Sequence, residues 1–291
     1  MKTKTDKKNK YAPVSPSFEG DRFMFKIGDF IGKGGNGIVY SCFEVSSGDE
    51  YAVKFLQSFD NVDKKRFLQE IELLSKINNQ FIVNFVDRGE ARWRYSESTA
   101  VNADFSFPFY VMEKADRNLR EYLQLVPTIE QTAIVGRIRG LLEALVELHK
   151  HAIHRDLKPE NILVLGDDWL VGDLGLSRAN KNAIHVTNYG KRVVGPAFWS
   201  SPEALTSFYT SRDLIDQRSD VYQLAMILWF ILNRKVPGGV LCANDWESKL
   251  PHAFYDVLFR ALQFDPDRRF QTASDFLKAW DDSVDVSMLP G

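Results

Sequence analysis

One short stretch of the sequence concentrates side chains that could carry out chemistry. Residues 154–161 read His-Arg-Asp-Leu-Lys-Pro-Glu-Asn, which supplies a carboxylate at Asp156, an ammonium at Lys158 and a carboxamide at Asn161. A carboxylate can accept the proton of an attacking hydroxyl, an ammonium can balance charge on a phosphoryl group, and a carboxamide oxygen can bind a metal ion. Together they predict phosphoryl transfer. A capping box or a polar surface loop explains this combination poorly.

A second carboxylate follows at Asp173, twelve residues after Asn161 and within Gly-Asp-Leu-Gly at 172–175. A lone Asp-Leu-Gly would be an ordinary turn, but this one follows an apolar strand predicted at 169–171. Carboxylate and carboxamide oxygens are the ligands that a hard ion such as Mg²⁺ prefers. We therefore predict that Asn161 and Asp173 bind Mg²⁺, with Mn²⁺ as an alternative.

A glycine-rich segment, Gly-Lys-Gly-Gly-Asn-Gly at 32–37, lies between two predicted strands. Glycine lets the backbone approach a phosphate and present its N–H groups, although a glycine-rich hairpin turn explains the segment equally well. No Lys-Ser/Thr pair or helix follows, so the segment is neither a Walker loop nor a Rossmann turn. The strand-loop-strand context predicts a flap over phosphates, formed by Gly32, Gly34 and Gly37.

Lys54 lies on the next predicted strand, in Tyr-Ala-Val-Lys at 51–54. A single lysine on a strand usually faces solvent. Here the predicted helix 64–77 carries Glu70, which could pair with Lys54 and hold it against a phosphate. Glu72 is the alternative partner.

The elements that must position these residues fall into two regions. Short segments of strand character, separated by turns, precede residue 115, and longer segments with helical spacing of apolar residues follow it. The predicted strands are 24–30, 37–42, 50–55, 82–87 and 107–114, and the predicted helices are 64–77, 128–149, 219–232, 256–262 and 273–280. We expect an α+β fold, with a cleft between a small β-rich part and a larger helical part.

Composition predicts the remaining divisions of the chain. Residues 1–21 are rich in lysine, proline and serine, which predicts a flexible basic tail. The β-rich domain then covers 22–112, the helical domain 113–281, and a C-terminal tail 282–291. Residues 88–106 are long for a connection between strands, so we expect an insertion that could serve a regulatory partner.

The overall composition excludes several classes of protein. The chain has 291 residues with 44% hydrophobic and 26% charged, which is typical of a folded globular protein. A net charge of −2 gives no basic field for binding nucleic acid. The longest uncharged apolar run, 221–232, is well short of the roughly 20 residues that cross a bilayer. The absence of a signal-peptide core and the presence of two cysteines, Cys42 and Cys242, favour the cytoplasm, or the host cytosol for a secreted effector.

Taken in order, these motifs resemble the eukaryotic-type protein kinase family over nearly the whole of residues 24–281. The resemblance implies a two-lobed protein kinase fold, with a small β-rich N-lobe, a larger mainly helical C-lobe and ATP between them. It implies that Asp156 is the catalytic base, helped by Lys158, and that Lys54 and Glu70 form the pair that positions phosphates. The residues that it implies around ATP are Ile31, Gly32, Gly34, Gly37, Val39, Ala52, Lys54, Met112, Glu113, Ala115 and Leu163.

The same resemblance extends to supporting residues. Ser-Pro-Glu at 201–203 resembles the motif that closes the activation segment, with Ser201 in place of the usual alanine. Glu203 would pair with Arg269, and Asp220 would anchor the loop around Asp156.

The resemblance also suggests regulation by phosphate. Arg155, before the catalytic aspartate, often meets a phosphorylated activation segment in this family. The candidate acceptors are Ser177, Thr187 and Tyr189.

Two signals bear on the substrate. Lys158, two residues after Asp156, resembles serine/threonine kinases, whereas Gly-Pro-Ala-Phe-Trp at 195–199 resembles tyrosine kinases in part. Lys158 would contact the transferred phosphoryl group, so we give it more weight. The predicted function is ATP-dependent phosphorylation of Ser/Thr hydroxyls on proteins, with autophosphorylation.

Several alternatives stay open beside this prediction. They are a tyrosine or dual-specificity kinase, a nucleotide-binding pseudokinase scaffold and a small-molecule kinase of related fold. A pseudokinase scaffold is disfavoured because none of the five motif side chains is lost. These are Lys54, Glu70, Asp156, Asn161 and Asp173. Lys-Pro-Glu at 158–160 and the closing motif argue against a small-molecule kinase.

Overall fold

The computed structural model describes residues 11–34, 37–95, 104–179, 198–210, 214–238 and 241–288. The chain forms two compact units. The first contains Met1–Glu72 and Asn84–Lys114, and the second contains Leu73–Val83 and Ala115–Gly291.

The first unit is built on a seven-stranded antiparallel sheet and one helix. Its strands are β1 (Tyr11–Pro13), β2 (Ser17–Glu19), β3 (Met24–Gly34), β4 (Gly37–Glu44), β5 (Glu50–Leu56), β6 (Phe85–Tyr95) and β7 (Asp104–Glu113). Their spatial order is β1-β6-β7-β5-β4-β3-β2. Helix α1 (Asn61–Leu74) begins beside Asp60, whose carboxylate accepts a hydrogen bond from the backbone N–H of Val62 at 2.6 Å. This cap places the helix start three residues before the predicted Lys64.

One face of this sheet covers an aromatic core. Val53 and Phe55 of β5 lie in it with Phe109 of β7, and all three are buried. Because side chains alternate along a strand, Lys54 must lie on the opposite face from Val53 and Phe55. The full core cluster contains Phe18, Phe25, Ile38, Cys42, Val53, Phe55, Ala91, Trp93, Phe107, Phe109 and Val111.

The prediction of a flexible tail over 1–21 is wrong for residues 11–19. Strand β1 pairs with β6, and β2 pairs with β3, so this short segment adds a strand to each edge of the sheet. Phe18 anchors β2 on the core, because its buried ring meets Phe55 and Phe109 edge to face, with centroids 5.4 and 4.8 Å apart. The lysines of the predicted tail all lie within residues 1–10, and proline and serine recur within 11–19, so the composition of the tail hid the contribution of Phe18.

The prediction of an insertion over 88–106 is also wrong for most of its length. Strands β6 and β7 continue through this region as a hairpin, and residues 96–103 lie outside the described part of the chain. Ala91 and Trp93 point into the core, whereas Arg92 and Arg94 between and after them are exposed. This alternation is the pattern of a half-buried strand, and it identifies a long hairpin.

The second unit is mainly helical. Its helices are α2 (Leu119–Leu125), α3 (Gln131–His149), α4 (Pro202–Thr210), α5 (Gln217–Asn233), α6 (His252–Ala261) and α7 (Ala273–Met288). Its short strands are β8 (Arg117–Asn118), β9 (Ala152–Ile153), β10 (Ile162–Leu165), β11 (Asp168–Val171) and β12 (Arg178–Ala179). They form a three-stranded sheet of order β11-β10-β8 and the pair β12-β9. Helix α5 is buried on nearly all sides, as its apolar sequence predicts.

Helix ends in this unit differ from the predicted ones for local reasons. Helix α3 begins at Gln131 rather than at Thr128, because the Glu130 carboxylate accepts hydrogen bonds from the next backbone N–H groups. Helix α7 continues to Met288, so residues 282–288 of the predicted C-terminal tail are helical. Ser283 packs within this extension and is buried.

The division between the units also differs from the predicted boundary at 112/113. Residues 73–83 belong to the second unit, where Val83 donates a backbone hydrogen bond to Val171 at 2.9 Å and Val171 donates one to Phe81 at 2.8 Å. The predicted strand 82–87 is therefore split, and its second part begins β6 at Phe85. Among the helices that the structure describes, none is long and apolar enough to cross a membrane.

Candidate active site

Lys54 and Glu70 form a buried ion pair in the first unit. Strand β5 carries Lys54 and helix α1 carries Glu70, and the Nζ and Oε1 atoms lie 2.8 Å apart. The Glu70 side chain is 2% exposed and the Lys54 side chain 12%. A buried charge pair is stable only when further hydrogen bonds offset the loss of hydration, so this carboxylate requires other donors.

Tyr110 supplies such a donor, although it belongs to none of the sequence motifs. Its hydroxyl donates to Oε1 of Glu70 at 2.8 Å, the same oxygen that Lys54 contacts. Tyr110 lies directly opposite Lys54 in the β5–β7 ladder. The available signal was alternation, since Tyr110 is two residues before Met112 and therefore shares its face.

The register of the sheet aligns the residues predicted to surround ATP. Val39 lies opposite both Gly32 of β3 and Lys54 of β5, and Ala52 lies opposite Met112. Register partners point to the same side of a sheet, so these side chains share the Lys54 face. Of the other predicted residues in this unit, Ile31 is half exposed on β3, Gly34 ends β3, Gly37 begins β4 and Glu113 ends β7.

Gly37 is held close to Lys54. A Cβ atom at this position would lie 3.1 Å from Cε of Lys54 and 3.2 Å from the carbonyl oxygen of Phe55. A side chain here would therefore press on the lysine. Residues 35 and 36 of the predicted flap lie outside the described part of the chain.

The second unit brings Asp156, Lys158 and Asn161 together. Oδ2 of Asp156 accepts a hydrogen bond from Nζ of Lys158 at 2.8 Å and one from Nδ2 of Asn161 at 2.9 Å. Asn161 also donates to the carbonyl oxygen of Asp156 at 2.8 Å. The Asp156 side chain is 8% exposed and that of Lys158 is 26% exposed. The carboxylate is thus fixed by two donors, and the ammonium beside it reaches solvent.

Asp220 holds the loop that carries Asp156. From the start of α5, its carboxylate accepts backbone hydrogen bonds from His154 at 2.7 Å and Arg155 at 2.8 Å, and it contacts Nε2 of His149 at 3.0 Å. Complete burial alone would raise the pKa of Asp220, but the hydrogen bond and charge of His149, with those of the loop, hold that pKa below its ordinary value. The predicted anchor is present.

Backbone hydrogen bonds place the start of the Asp173 turn beside this loop. Gly172 donates its N–H to the carbonyl oxygen of Asn161 at 2.9 Å, and its own carbonyl lies 3.2 Å from Nε2 of His154. A Cβ at Gly172 would meet Cδ1 of Leu163 at 2.9 Å, so a side chain here would displace Leu163. The next residue, Asp173, is exposed and has a φ of 52°.

Two residues of the site have a left-handed backbone. Arg155 has a φ of 71° and Asp173 a φ of 52°. Such a conformation costs about 1–3 kcal/mol in a residue other than glycine and is retained where the surrounding contacts enforce it. Here the enforcing contacts are the Asp220 hydrogen bonds and the Gly172 hydrogen bonds.

The remaining predicted residues are placed as follows. Leu163 lies on β10 and Ala115 at the start of the second unit, both partly buried. The hydroxyl of Ser177 is buried, which does not favour it as a phosphate acceptor. Thr187 and Tyr189 lie outside the described residues.

The predicted pair Glu203 and Arg269 is present and buried. Arg269 donates from both terminal nitrogens to the two carboxylate oxygens of Glu203, at 2.8 Å each. Burial alone would raise the pKa of Glu203, but hydrogen bonds from Arg269 and Ser219 hold it below its ordinary value. Ser201 accepts a hydrogen bond from the backbone of Ala204 at 3.4 Å, so it caps α4 where the family has alanine.

The donor set in this unit fits a hard divalent cation. Both described bonds of the Asn161 amide nitrogen go to Asp156, so the amide oxygen is the atom of Asn161 that could bind a cation, and Asp173 has a carboxylate next to Gly172. Mg²⁺ is usually held by one or two carboxylates together with substrate phosphates. The described residues contain no cluster of three or more His, Cys, Asp or Glu side chains that could bind a metal, and a site of this kind requires none.

Comparison with known proteins points to the same chemistry. The family described as protein kinase domain matches residues 25–279. The chain is similar to a probable serine/threonine-protein kinase of Clostridium acetobutylicum, at 29% identity over 275 residues that cover 87% of this chain and 39% of the relative. It is also similar to the probable serine/threonine-protein kinase PknB of Bifidobacterium longum, at 28% identity with 87% and 38% covered. For the serine/threonine-protein kinase PknB of Mycolicibacterium smegmatis the identity is 28%, with 90% and 43% covered.

The chain spans about two fifths of the length of these curated relatives, since 38–43% of each is covered. The family match, in contrast, takes in most of the chain, from the third strand of the β-rich unit to the last helix of the helical unit. The chain therefore belongs to the protein kinase domain family and has the two-lobed α+β fold of that family.

Proposed function

We propose that this chain transfers the γ-phosphate of ATP to Ser or Thr hydroxyls of proteins, its own included. The observation that carries the proposal is the fixed carboxylate of Asp156, which accepts hydrogen bonds from Lys158 and Asn161 at 2.8 and 2.9 Å within a loop anchored on Asp220. Phosphoryl transfer needs positioning and charge neutralisation more than covalent chemistry, and this loop supplies both.

The proposed step exchanges one bond from oxygen to the γ-phosphorus for another. The acceptor hydroxyl oxygen forms a bond to the γ-phosphorus while the bond from that phosphorus to the β,γ-bridging oxygen breaks, and ADP leaves with the bonding electrons. The hydroxyl proton passes to the Asp156 carboxylate, which Lys158 and Asn161 orient. The Lys158 ammonium offsets the negative charge on the transferred group.

Groups of the first unit would bind the nucleotide. Lys54, held by Glu70, would contact its phosphates, and the side chains of Val39, Ala52 and Met112 would pack on the adenine. The proposed nucleotide contacts from the strand ends and the second unit are Ile31, Gly32, Gly34, Gly37, Glu113, Ala115 and Leu163. Mg²⁺, held by Asn161 and Asp173, would neutralise phosphate charge when it is bound.

Lys158 favours Ser/Thr as the acceptor class. Its ammonium lies beside Asp156, where the acceptor hydroxyl must be deprotonated. The names of the similar bacterial proteins, all serine/threonine-protein kinases, support the same class. Of the conflicting signal at 195–199, only Phe198 and Trp199 lie within the described residues, so a tyrosine or dual-specificity kinase is the alternative proposal.

Transfer of labelled γ-phosphate tests the proposal. Purified protein with Mg²⁺, labelled ATP and a generic protein acceptor should modify Ser and Thr, and D156N should abolish the label. The control is D167N, which alters a carboxylate that is 97% exposed and pairs with Arg137. Label on Tyr alone would reject the acceptor class. Nucleotide binding without any transfer would point to a pseudokinase scaffold or to a kinase that awaits its activator.

Setting and regulation are also proposals. Free Cys42 and Cys242 suit a reducing compartment such as the cytoplasm, or a host cytosol for a secreted effector. Phosphate on Thr187 or Tyr189 would contact Arg155 in the active state, and mass spectrometry of active protein would detect it. A regulatory partner at 88–106 stays a prediction.

A further inference from the structure

Tyr110 joins the sheet of the first unit to the helix that carries Glu70. Its hydroxyl donates to Oε1 of Glu70 at 2.8 Å, and its ring packs on Phe67, one turn earlier on α1, with centroids 5.5 Å apart. Tyr110 is 1% exposed and Glu70 3% exposed. The tyrosine therefore contacts α1 at two points, one polar and one aromatic, and both Tyr110 and Glu70 are buried.

The same ring also borders Lys54. The Lys54 ammonium lies 5.7 Å from the centre of the Tyr110 ring and 5.9 Å from that of Phe67, within the range of a cation–π contact. Both ring contacts and the ion pair act on one ammonium. The position of the Lys54 ammonium therefore depends on the hydrogen bond between Tyr110 and Glu70.

A buried carboxylate needs a hydrogen-bond donor that stays in place while its charged partner binds a ligand. If Lys54 binds phosphate, its contribution to Glu70 weakens, and low local polarity makes an incompletely satisfied carboxylate costly. The Tyr110 hydroxyl is attached to a rigid ring on a central strand, so its hydrogen bond does not depend on the lysine.

We propose that Tyr110 is a positioning residue for nucleotide binding: its hydroxyl fixes the Glu70 carboxylate, which in turn presents Lys54 to the phosphates of ATP. This inference rests on the proposed function. Tyr110 acts through Glu70 and does not itself touch the nucleotide.

The test compares four variants of the full chain: Y110F, E70Q, the double variant E70Q/Y110F, and Y51F. Y110F removes one hydroxyl and keeps the ring on Phe67. Y51F removes a hydroxyl from the same sheet, where the Tyr51 ring packs on Phe25 and no described hydrogen bond joins it to Glu70. Calorimetry gives the Kd for Mg·ATP, and steady-state transfer gives KM for ATP and kcat. Thermal unfolding confirms that each variant is folded.

We expect Y110F to raise the Kd and KM for ATP about tenfold, the loss associated with one hydrogen bond to a charged group. Y51F should stay within about twofold of wild type, the usual range for a substitution away from such a contact. Because Tyr110 acts through Glu70, Y110F should add nothing to the Kd of E70Q. A merely structural role would lower the active fraction, and so kcat, without moving the Kd.

Two results would overturn the proposal. One is a Y110F protein with wild-type Kd and KM. The other is an effect of Y110F that adds in full to that of E70Q, which would show that Tyr110 does not act through the carboxylate. Either result leaves the proposed function standing if wild type transfers phosphate. A wild-type protein that neither binds Mg·ATP nor transfers phosphate rejects the proposed function first.

Discussion

Buried carboxylates of the second unit show how single side chains maintain the site. Asp220 is completely buried, yet its acceptor oxygens receive two backbone N–H groups and face a histidine. Hydrogen bonds of this kind favour the ionised form more than burial disfavours it, so the pKa lies below its ordinary value. The conformation of the loop around Asp156 therefore depends on an Asp220 carboxylate that stays ionised.

We predict that D220N destabilises the protein by about 3 kcal/mol at pH 7, because its amide would present N–H groups to backbone donors and leave them unsatisfied. The folded-state pKa is lowered, so wild type has this stabilisation in full above about pH 4, the ordinary range of an aspartate, and loses it as the pH falls through the lower folded value. The gap between wild type and D220N should narrow only below about pH 4.

Urea unfolding at a series of pH values measures this gap, with D167N as the matched control. A constant gap down to the acid limit would mean that Asp220 is not held ionised by the loop. A negligible gap at pH 7 would mean that the loop is fixed by other contacts, such as the hydrogen bond from Leu157 to Gln223 at 3.4 Å.

Helices and strands are predicted well from the sequence where the spacing of apolar residues is regular over a long stretch. Helix α5 and the core of α3 are predicted closely, because each keeps a helical pattern over many residues. The predicted helix ends are wrong where the capping residue is not part of the apolar pattern, as at Glu130. Strands β1 and β2 were not predicted, because each is only three residues long and so has no periodicity to detect.

The candidate site shows the same contrast. Asp156, Lys158 and Asn161 lie on one loop, and their spacing alone brings them together. Tyr110 is 40 residues from Glu70 in sequence, and their contact depends on sheet register and helix packing that no local pattern specifies. The motifs therefore predict the residues of the loop, whereas they do not predict Tyr110 as the partner of Glu70.

The packing of Phe18 holds strand β2 on the core of the first unit. We expect F18A to destabilise the first unit by about 3–4 kcal/mol, since it removes a ring packed among Phe25, Phe55 and Phe109. F23A, which truncates a ring that is 37% exposed, should cost much less.

Alkylation of Cys42 measures this effect directly. Cys42 is fully buried in the same core, and burial, with a smaller effect of Glu50, raises the pKa of its thiol to about 12, so it should resist iodoacetamide at pH 8 while exposed Cys242 reacts. F18A should accelerate the reaction of Cys42 and leave Cys242 unchanged. Equal rates for Cys42 in F18A and F23A would contradict a role for Phe18 in closing the core.

At the scale of the whole molecule, nucleotide and metal binding should stabilise the fold. A ligand present at 100 times its Kd adds about 2.7 kcal/mol to the free energy of unfolding, so Mg·ATP should raise the Tm by several degrees. EDTA should remove most of this shift, because phosphate charge would then lack its counterion. D173N should reduce the shift with Mg²⁺ present, whereas D167N should keep it.

Thermal unfolding with and without EDTA makes the comparison. A full shift in D173N would mean that Asp173 does not hold the metal. An equal shift in EDTA would mean that the nucleotide binds without a divalent ion, which the proposed ligand pair does not predict.

The placement of β1 and β2 has a consequence for aggregation. Without residues 11–19, the outermost strands of the first sheet would be β6 and β3, each 11 residues long, with open rows of backbone donors and acceptors. Long bare edges invite pairing with another chain, whereas three-residue edge strands offer little to pair with. A recombinant protein that begins at the predicted domain boundary, residue 22, would therefore be expected to self-associate through these edges even if its catalytic residues were intact.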